Sequence, residues 1–114
     1  LVGSEMCIRD STDWDRERLR ETFADELALI RETTAPLFGI CAGLQLIGIA
    51  FGAPLVYPGE GYEEFGFLPQ TVLAQHPLTA GLGGTLHCFE YHRGQLGAVP
   101  EDFRLLASRE NCRV

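Results

Sequence analysis

A short apolar run, Pro36-Leu-Phe-Gly-Ile40, leads directly into a glycine-flanked cysteine, and this junction constrains the fold more than any other stretch of the chain. The run has no polar alternation, which is typical of a strand covered on both faces and favours a central, parallel position. Residues 42–51 then predict a helix, which Gly52 is well placed to end. A cysteine at such a strand-to-helix turn has the placement of a nucleophile elbow.

The string Gly39-Ile-Cys41-Ala-Gly43-Leu-Gln45 supplies the parts that a nucleophilic thiol needs. We expect Gly39 and Gly43 because a side chain two residues from the nucleophile would collide with the adjoining backbone. Unpaired N–H groups at the first turn of the helix favour negative charge on the sulfur of Cys41. The amide N–H of Ala42 is predicted to point where an oxyanion would form. The simpler alternative is a buried core cysteine beside two packing glycines.

The remaining pattern predicts a single α/β domain. A helix begins near Asp13 and is ended by the segment at residues 33–36, and its apolar face consists of Leu19, Phe23, Leu27 and Ile30. Strands are predicted at residues 55–57, 65–74, 86–91 and 103–108, with Pro69 suggesting an edge or a bend, and a helical turn at residues 76–82. Residues 1–11 show neither period, so we interpret them as a non-native leader and leave Cys7 out of any mechanism.

Composition excludes several classes of function. The formal net charge of -7 repels phosphate backbones and anionic lipids, so neither a nucleic acid nor a membrane is expected as a partner. All 9 basic residues are arginine, which excludes a lysine Schiff base. The cysteines have neither the CxxC spacing of a zinc site nor the density of a disulfide scaffold. We therefore predict no metal site and no cofactor, and free thiols in a reducing cytoplasm.

With these residues in view, the chain resembles the class I glutamine amidotransferases, whose elbow typically reads G-[IV]-C-x-G-x-Q. Further segments follow in the order that the family shows: Glu64-Phe-Gly66, His76-Pro-Leu-Thr-Ala-Gly-Leu82, Phe89-Glu-Tyr-His92, Val99-Pro100 and Leu105-Leu-Ala-Ser108. The resemblance implies a partial, flavodoxin-like three-layer fold over residues 12–114, with a central, mostly parallel sheet and flanking helices. It also implies a domain truncated at both ends.

The resemblance further implies a reaction. Cys41 would attack the side-chain amide of L-glutamine, release ammonia and leave a glutamyl thioester that water hydrolyses. Gln45 and the backbone at Gly39 and Gly43 would hold the substrate, and the resemblance adds Glu64 and His92 as substrate contacts. Ammonia would pass to an acceptor on a synthetase domain or subunit.

The catalytic histidine needs separate treatment. His92 could in principle serve as the base for Cys41, but the histidine at this place in the family is structural or lines the pocket. The resemblance puts the catalytic histidine and glutamate in an H-P-E motif after a further strand, beyond Val114. We therefore expect the 114-residue chain by itself to lack useful glutaminase activity, unlike its parent.

Two alternative functions stay open at this point. DJ-1/PfpI-type cysteine hydrolases share a cysteine elbow, but they often carry histidine directly after the cysteine, where this chain has Ala42. A catalytically inactive regulatory or binding module would keep the elbow only as scaffold.

The other reactive side chains receive structural interpretations. We interpret His76 and His87 as solvated or locally hydrogen-bonded, and Cys88 and Cys112 as small buried apolar residues. Glu63 and Glu64 are interpreted as part of a solvated loop, with Glu64 kept as a substrate contact through the resemblance.

Overall fold

Three short helices and five strands make up the part of the chain that the computed structural model describes, which is residues 16–59 and 64–112, without the side chains of Arg16 and Glu17. The helices are α1 (Arg16–Thr22), α2 (Ala24–Glu32) and α3 (Ala42–Ala50). The strands are β1 (Leu55–Val56), β2 (Glu64–Val72), β3 (Thr85–His92), β4 (Gln95–Leu96) and β5 (Ala107–Ser108), with a 3-10 helix at Pro77–Thr79 before β3. The predicted leader, Cys7, Asp13, Glu63 and Val114 lie outside the described residues.

The helical layer carries the hydrophobic core. Leu19, Leu27, Leu46 and Leu55 form a buried cluster, against which Phe23, Ile30, Ile49 and Ala50 pack. The predicted apolar face of the first helix is therefore confirmed. The single predicted helix is interrupted at Phe23, which separates α1 from α2, yet the backbone hydrogen bonds continue from Phe23 to Leu19 (3.0 Å) and from Leu27 to Phe23 (2.9 Å).

Helix α3 begins and ends close to where the sequence predicts. Gly52 follows it with a φ of 91°, a left-handed conformation that glycine adopts without steric cost, so its role as helix terminator is confirmed. One face of α3 lies directly on β4, because a Cβ built on Gly48 would come within 2.4 Å of Leu96. This close approach fixes the helix relative to the segment that follows β3.

Strands β2 and β3 form a long antiparallel pair whose two faces carry different side chains. Phe65, Phe67, Phe89 and Tyr91 are exposed on the outer face and contact one another edge-on, with ring centroids 5.4 to 5.8 Å apart. The inner face is mixed: it includes the directly opposed pair Glu64 and His92, together with Leu68, Leu86 and Cys88. The predicted hairpin strands are confirmed, and the inner face lies across a cleft from the helical layer.

Several predictions about strands differ from the structure. Residues 36–40 form no strand, and Phe38 is 88% exposed, because no strand in the described part of the chain lies beside this run to exchange backbone hydrogen bonds with it. Every described strand pair is antiparallel, so the predicted parallel sheet is not confirmed. Only residues 107–108 of the predicted strand at 103–108 pair, and they join β2.

Pro69 lies within β2, and the predicted edge is confirmed at its position although β2 is the middle strand of the order β3-β2-β5. Strand β5 pairs only with Thr71 and Val72, which leaves Pro69 with a partner strand on one side. A missing N–H is tolerated there because no ladder bond is needed on the other side. In the described ranges, no helix is long and apolar enough to cross a bilayer.

Candidate active site

Cys41 has the most unusual backbone conformation of the site. Its φ is 53° and its ψ is -114°, and it is the single non-glycine residue with positive φ in the described part of the chain. Such a conformation costs about 1–3 kcal/mol and persists only where the surrounding structure imposes it. Cys41 immediately precedes α3, its thiol is free, and the residue is exposed. The strain presents a nucleophilic side chain at the start of a helix, as an elbow requires.

The two elbow glycines differ in what they contact. A Cβ on Gly39 would lie 2.6 Å from the backbone carbon of Gly43 and the backbone nitrogen of Leu44, and backbone atoms in a helix cannot easily move aside. Gly39 is therefore required by close approach, as predicted. A Cβ on Gly43 would meet nothing within 4 Å outside its own helix. The predicted collision at Gly43 is wrong, because the close backbone approach restricts a side chain at Gly39 and leaves space for one at Gly43.

Gln45 is buried one turn into α3 and connects the helix to the loop after β3. Its Nε2 donates a hydrogen bond to the carbonyl of Gly94 at 2.9 Å. Its Oε1 is buried and accepts no hydrogen bond from the described protein atoms. A buried acceptor of this kind costs about 1–3 kcal/mol unless a partner arrives, so it is well suited to receive a donor from a bound molecule.

A cleft of about 260 Å³ lies between α3 and the inner face of the hairpin. Cys41 and Gln45 line it from the helical side, and Glu90, His92 and Cys112 line it from the sheet side. The structure thus brings Cys41, Gln45 and His92 to one cavity, whereas Glu64, the other side chain predicted to contact substrate, does not line it. Gly39 and Gly43 lie behind the elbow and line a separate apolar groove next to α2.

The sheet wall of the cleft is held by charged side chains. Glu64 is buried, with 7% of its side chain exposed; its Oε1 lies 3.3 Å from Nη2 of Arg109, and its Oε2 lies 3.6 Å from Nε2 of His92. The same Nε2 lies 3.2 Å from Oε2 of Glu90. Gln70 donates a hydrogen bond of 2.9 Å to the other oxygen of Glu90. The interpretation of Glu64 as part of a solvated loop is therefore wrong: it begins a strand and faces inward.

The two remaining described cysteines also differ from their predicted role as simple apolar core residues. Both are half-buried and line the cleft. Burial, and then the Glu90 carboxylate, raises the pKa of the Cys88 thiol, which keeps it protonated near neutral pH. Cys112 lies beside Glu64 and His92, with one potential metal-ligating atom from each of the three residues within 4.8 Å of the others. The sequence predicts no metal site, and the spacing of these residues gives no sign of this cluster.

The other histidines match their structural interpretation. His76 caps the 3-10 helix, where its Nδ1 accepts a hydrogen bond from the backbone N–H of Leu78 at 3.2 Å. His87 is exposed on the outer face of the hairpin. Sequence reasoning missed Gln70, Glu90 and Arg109, since an isolated polar residue on a strand or after it carries no local signal of a shared cluster.

Comparison with known proteins places these features in a family. The sequence model described as "Glutamine amidotransferase class-I" matches residues 15–114. A glutamine-hydrolysing GMP synthase subunit of Thermoplasma acidophilum is 34% identical over 79 residues, which cover 69% of this chain and 38% of that protein. The corresponding subunit of Thermococcus kodakarensis is 33% identical over 84 residues, covering 73% of this chain and 43% of that protein. The chain therefore spans less than half the length of these relatives.

Solved structures show the same fold. The crystal structure of a protein of Thermoplasma acidophilum described as a GMP synthase subunit superposes with a TM-score of 0.74 at 28% identity, over 86% of this chain and 48% of the other. A glutamine amidotransferase of Thermotoga maritima also gives a TM-score of 0.74, at 21% identity, over 92% of this chain and 45% of the other. The fold class that the resemblance implies is thereby confirmed as a partial α/β domain.

Proposed function

This chain belongs to the class I glutamine amidotransferase family, and we propose that the full-length protein containing it hydrolyses the side-chain amide of glutamine through a thioester on Cys41. The observation that carries the proposal is the strained, exposed cysteine at the start of α3, on the rim of a cleft. A cysteine that only supported the fold would not require a positive φ. The simpler interpretation, a buried core cysteine, does not account for either the strain or the exposure.

The proposed chemistry begins with the sulfur of Cys41. The thiolate attacks the amide carbon of glutamine, and the carbonyl oxygen takes the negative charge. Ala42 is the first residue of α3, and the first N–H groups of a helix have no partner within it, so the Ala42 N–H can donate to this oxyanion. Collapse of the intermediate breaks the C–N bond, and the protonated amine leaves as ammonia. Water then attacks the thioester, giving glutamate and restoring the thiol.

The proton transfers require a general acid and base. His92 lines the cleft, but its Nε2 faces the carboxylates of Glu64 and Glu90. This arrangement supports the expectation that His92 forms part of the wall, and that the catalytic histidine belongs to another part of the full-length protein. We propose that Glu64 and His92 shape the substrate side of the cleft.

Substrate binding is proposed to use the helix and the loop that it contacts. The buried Oε1 of Gln45 needs a hydrogen-bond donor, and the amide or ammonium group of glutamine can supply one. The hydrogen bond from Gln45 to Gly94 holds the loop at residues 93–95 against the helix. Gly39 and Gly43 line a separate groove, so we propose that they contribute by positioning Cys41 and Gln45.

The likeness to glutamine-hydrolysing GMP synthase subunits supports a proposal about the partner. We propose that ammonia passes to a synthetase subunit or domain that aminates an acceptor. A reducing, cytoplasmic location is also proposed, because the thiol of Cys41 is free and exposed, and a reducing compartment keeps such a thiol from forming disulfides.

The direct test is glutamine hydrolysis by the full-length protein. Cys41→Ser should lower kcat by at least about 1,000-fold, because losing the nucleophile removes covalent catalysis as a whole. Cys88→Ser is the matched control, and it should change kcat by no more than a few-fold. If both variants release ammonia at the wild-type rate, Cys41 is not the nucleophile and the proposal is wrong.

A further inference from the structure

A cluster of three different metal-ligating side chains lies next to the cleft, and two of them, His92 and Cys112, line it. Glu64, His92 and Cys112 each offer one ligating atom, and these atoms all lie within 4.8 Å of one another. Tetrahedral zinc sites with ligand bonds of roughly 2.0–2.3 Å have ligand atoms about 3.3–3.8 Å apart. The 3.6 Å between Oε2 of Glu64 and Nε2 of His92 already falls in this range. Small side-chain shifts would bring the sulfur to the same spacing.

The carboxylate of Glu64 is oriented for such a role. Arg109 lies against Oε1, which leaves Oε2 directed at His92. Neither oxygen meets hydrogen-bond geometry with a described protein donor, although the side chain is more than nine-tenths buried. A buried carboxylate without hydrogen bonds is costly, and a bound cation would remove that cost. Arg109 then acts as the outer partner that fixes a ligating carboxylate.

The charges of the cluster also favour a divalent cation. Two carboxylates, Glu64 and Glu90, face the same imidazole nitrogen, and Arg109 offsets the charge of Glu64. A thiolate from Cys112 would add a third negative charge. A divalent cation would then neutralise the whole group, whereas a monovalent one would not. Thiolate and imidazole ligands select Zn²⁺ over Mg²⁺ or Ca²⁺.

We propose that Glu64, His92 and Cys112 bind Zn²⁺, with the fourth position open to the cleft. Three protein ligands and one open position are the pattern of zinc sites that accept an exchangeable ligand. His92 and Cys112 line the cleft that also contains Cys41. Zinc bound there occupies the wall opposite the nucleophile and closes the site to glutamine. Only this inhibitory consequence rests on the proposed function.

The test uses the full-length protein, freed of metal with a chelator and dialysed against Zn²⁺ or Co²⁺. We expect one bound metal per chain, and a thiolate-to-cobalt charge-transfer band in the near ultraviolet. Cys112→Ser should abolish the band and weaken metal binding by more than about 100-fold, since losing a ligand costs more than losing an outer partner. Cys88→Ser and Cys41→Ser are the matched controls, and each should retain both the band and the affinity. Circular dichroism checks that every variant is folded.

Two results would overturn the zinc site: no bound metal at micromolar Zn²⁺, or a cobalt band and a metal affinity that Cys112→Ser leaves unchanged. Glutamine hydrolysis provides a second measurement. Zinc should inhibit it, a chelator should restore it, and Cys112→Ser should resist the inhibition. Because the cobalt spectrum does not depend on turnover, a protein that binds metal but hydrolyses no glutamine would disprove the proposed function and leave the zinc site standing.

Discussion

The two walls of the cleft are positioned by different kinds of interaction. On the helical wall, backbone geometry does the positioning: Cys41 is strained, Gly39 allows a close approach, and no charged side chain of the described residues is involved. On the sheet wall, positioning depends on side-chain charges, with Glu64 held between His92 and Arg109. The comparison indicates that the nucleophile depends on local chain conformation, whereas the opposite wall depends on contacts between distant segments.

The largest effect on stability is expected from removing a charge in the sheet wall. Glu64→Gln removes the charge that compensates the Arg109 guanidinium in a buried position, so the full-length protein should lose about 3 kcal/mol of stability. Thermal unfolding measures the loss as a lower Tm. Glu90→Gln is the matched control, and its loss should be smaller because Glu90 is less buried and shows no ion pair with Arg109 among the described contacts. Equal losses of stability in the two variants would mean that the ion pair between Arg109 and Glu64 adds nothing to the stability of the fold.

A smaller effect on stability is expected from a substitution in the helical wall. Gly39→Ala forces a Cβ to within 2.6 Å of the backbone of α3, which should cost about 1–3 kcal/mol and disturb the elbow. Gly43→Ala is the control for stability, since it meets nothing within 4 Å outside its helix and removes a flexible helical glycine. We expect this control to leave Tm unchanged or raise it. If the two variants unfold at the same temperature, the elbow is not limited by close approach at Gly39.

The smallest effect is expected where the two walls meet. Gln45→Ala removes the hydrogen bond to Gly94 that ties the loop after β3 to α3, which should raise the KM for glutamine by about 5- to 30-fold, equivalent to one or two hydrogen bonds. Gln75→Ala, at an exposed position that does not line the cleft, serves as the control. A KM that stays the same in Gln45→Ala would show that the walls act independently.

The sequence predicts the helical wall well because its signals are local. The order of glycine, cysteine and glutamine over residues 39–45 is enough to indicate an elbow, and α3 follows from the apolar residues after it. The β2 and β3 strands are also predicted, since their alternation is visible within each strand.

The charged contacts of the sheet wall could not be predicted in the same way. Glu64 and Arg109 are separated by 45 positions, and nothing near either residue indicates the other. Phe65, Phe67, Phe89 and Tyr91 are exposed in the described part of the chain, so hydrophobicity alone does not indicate which face of the hairpin lines the cleft. The strand predicted at residues 36–40 is absent for a related reason: an apolar segment becomes a strand only where a neighbouring strand pairs with it.

Covalent labelling of the full-length protein tests the central claim most directly. A glutamine-like diazo-ketone at neutral pH should modify Cys41 and be blocked by glutamine, and peptide mass spectrometry locates the adduct. Cys88 should stay unmodified because burial raises its pKa and keeps it protonated. A protein that is labelled at Cys88 or not at all, while Cys41 remains a free thiol, would contradict a nucleophile presented by the strained turn before α3.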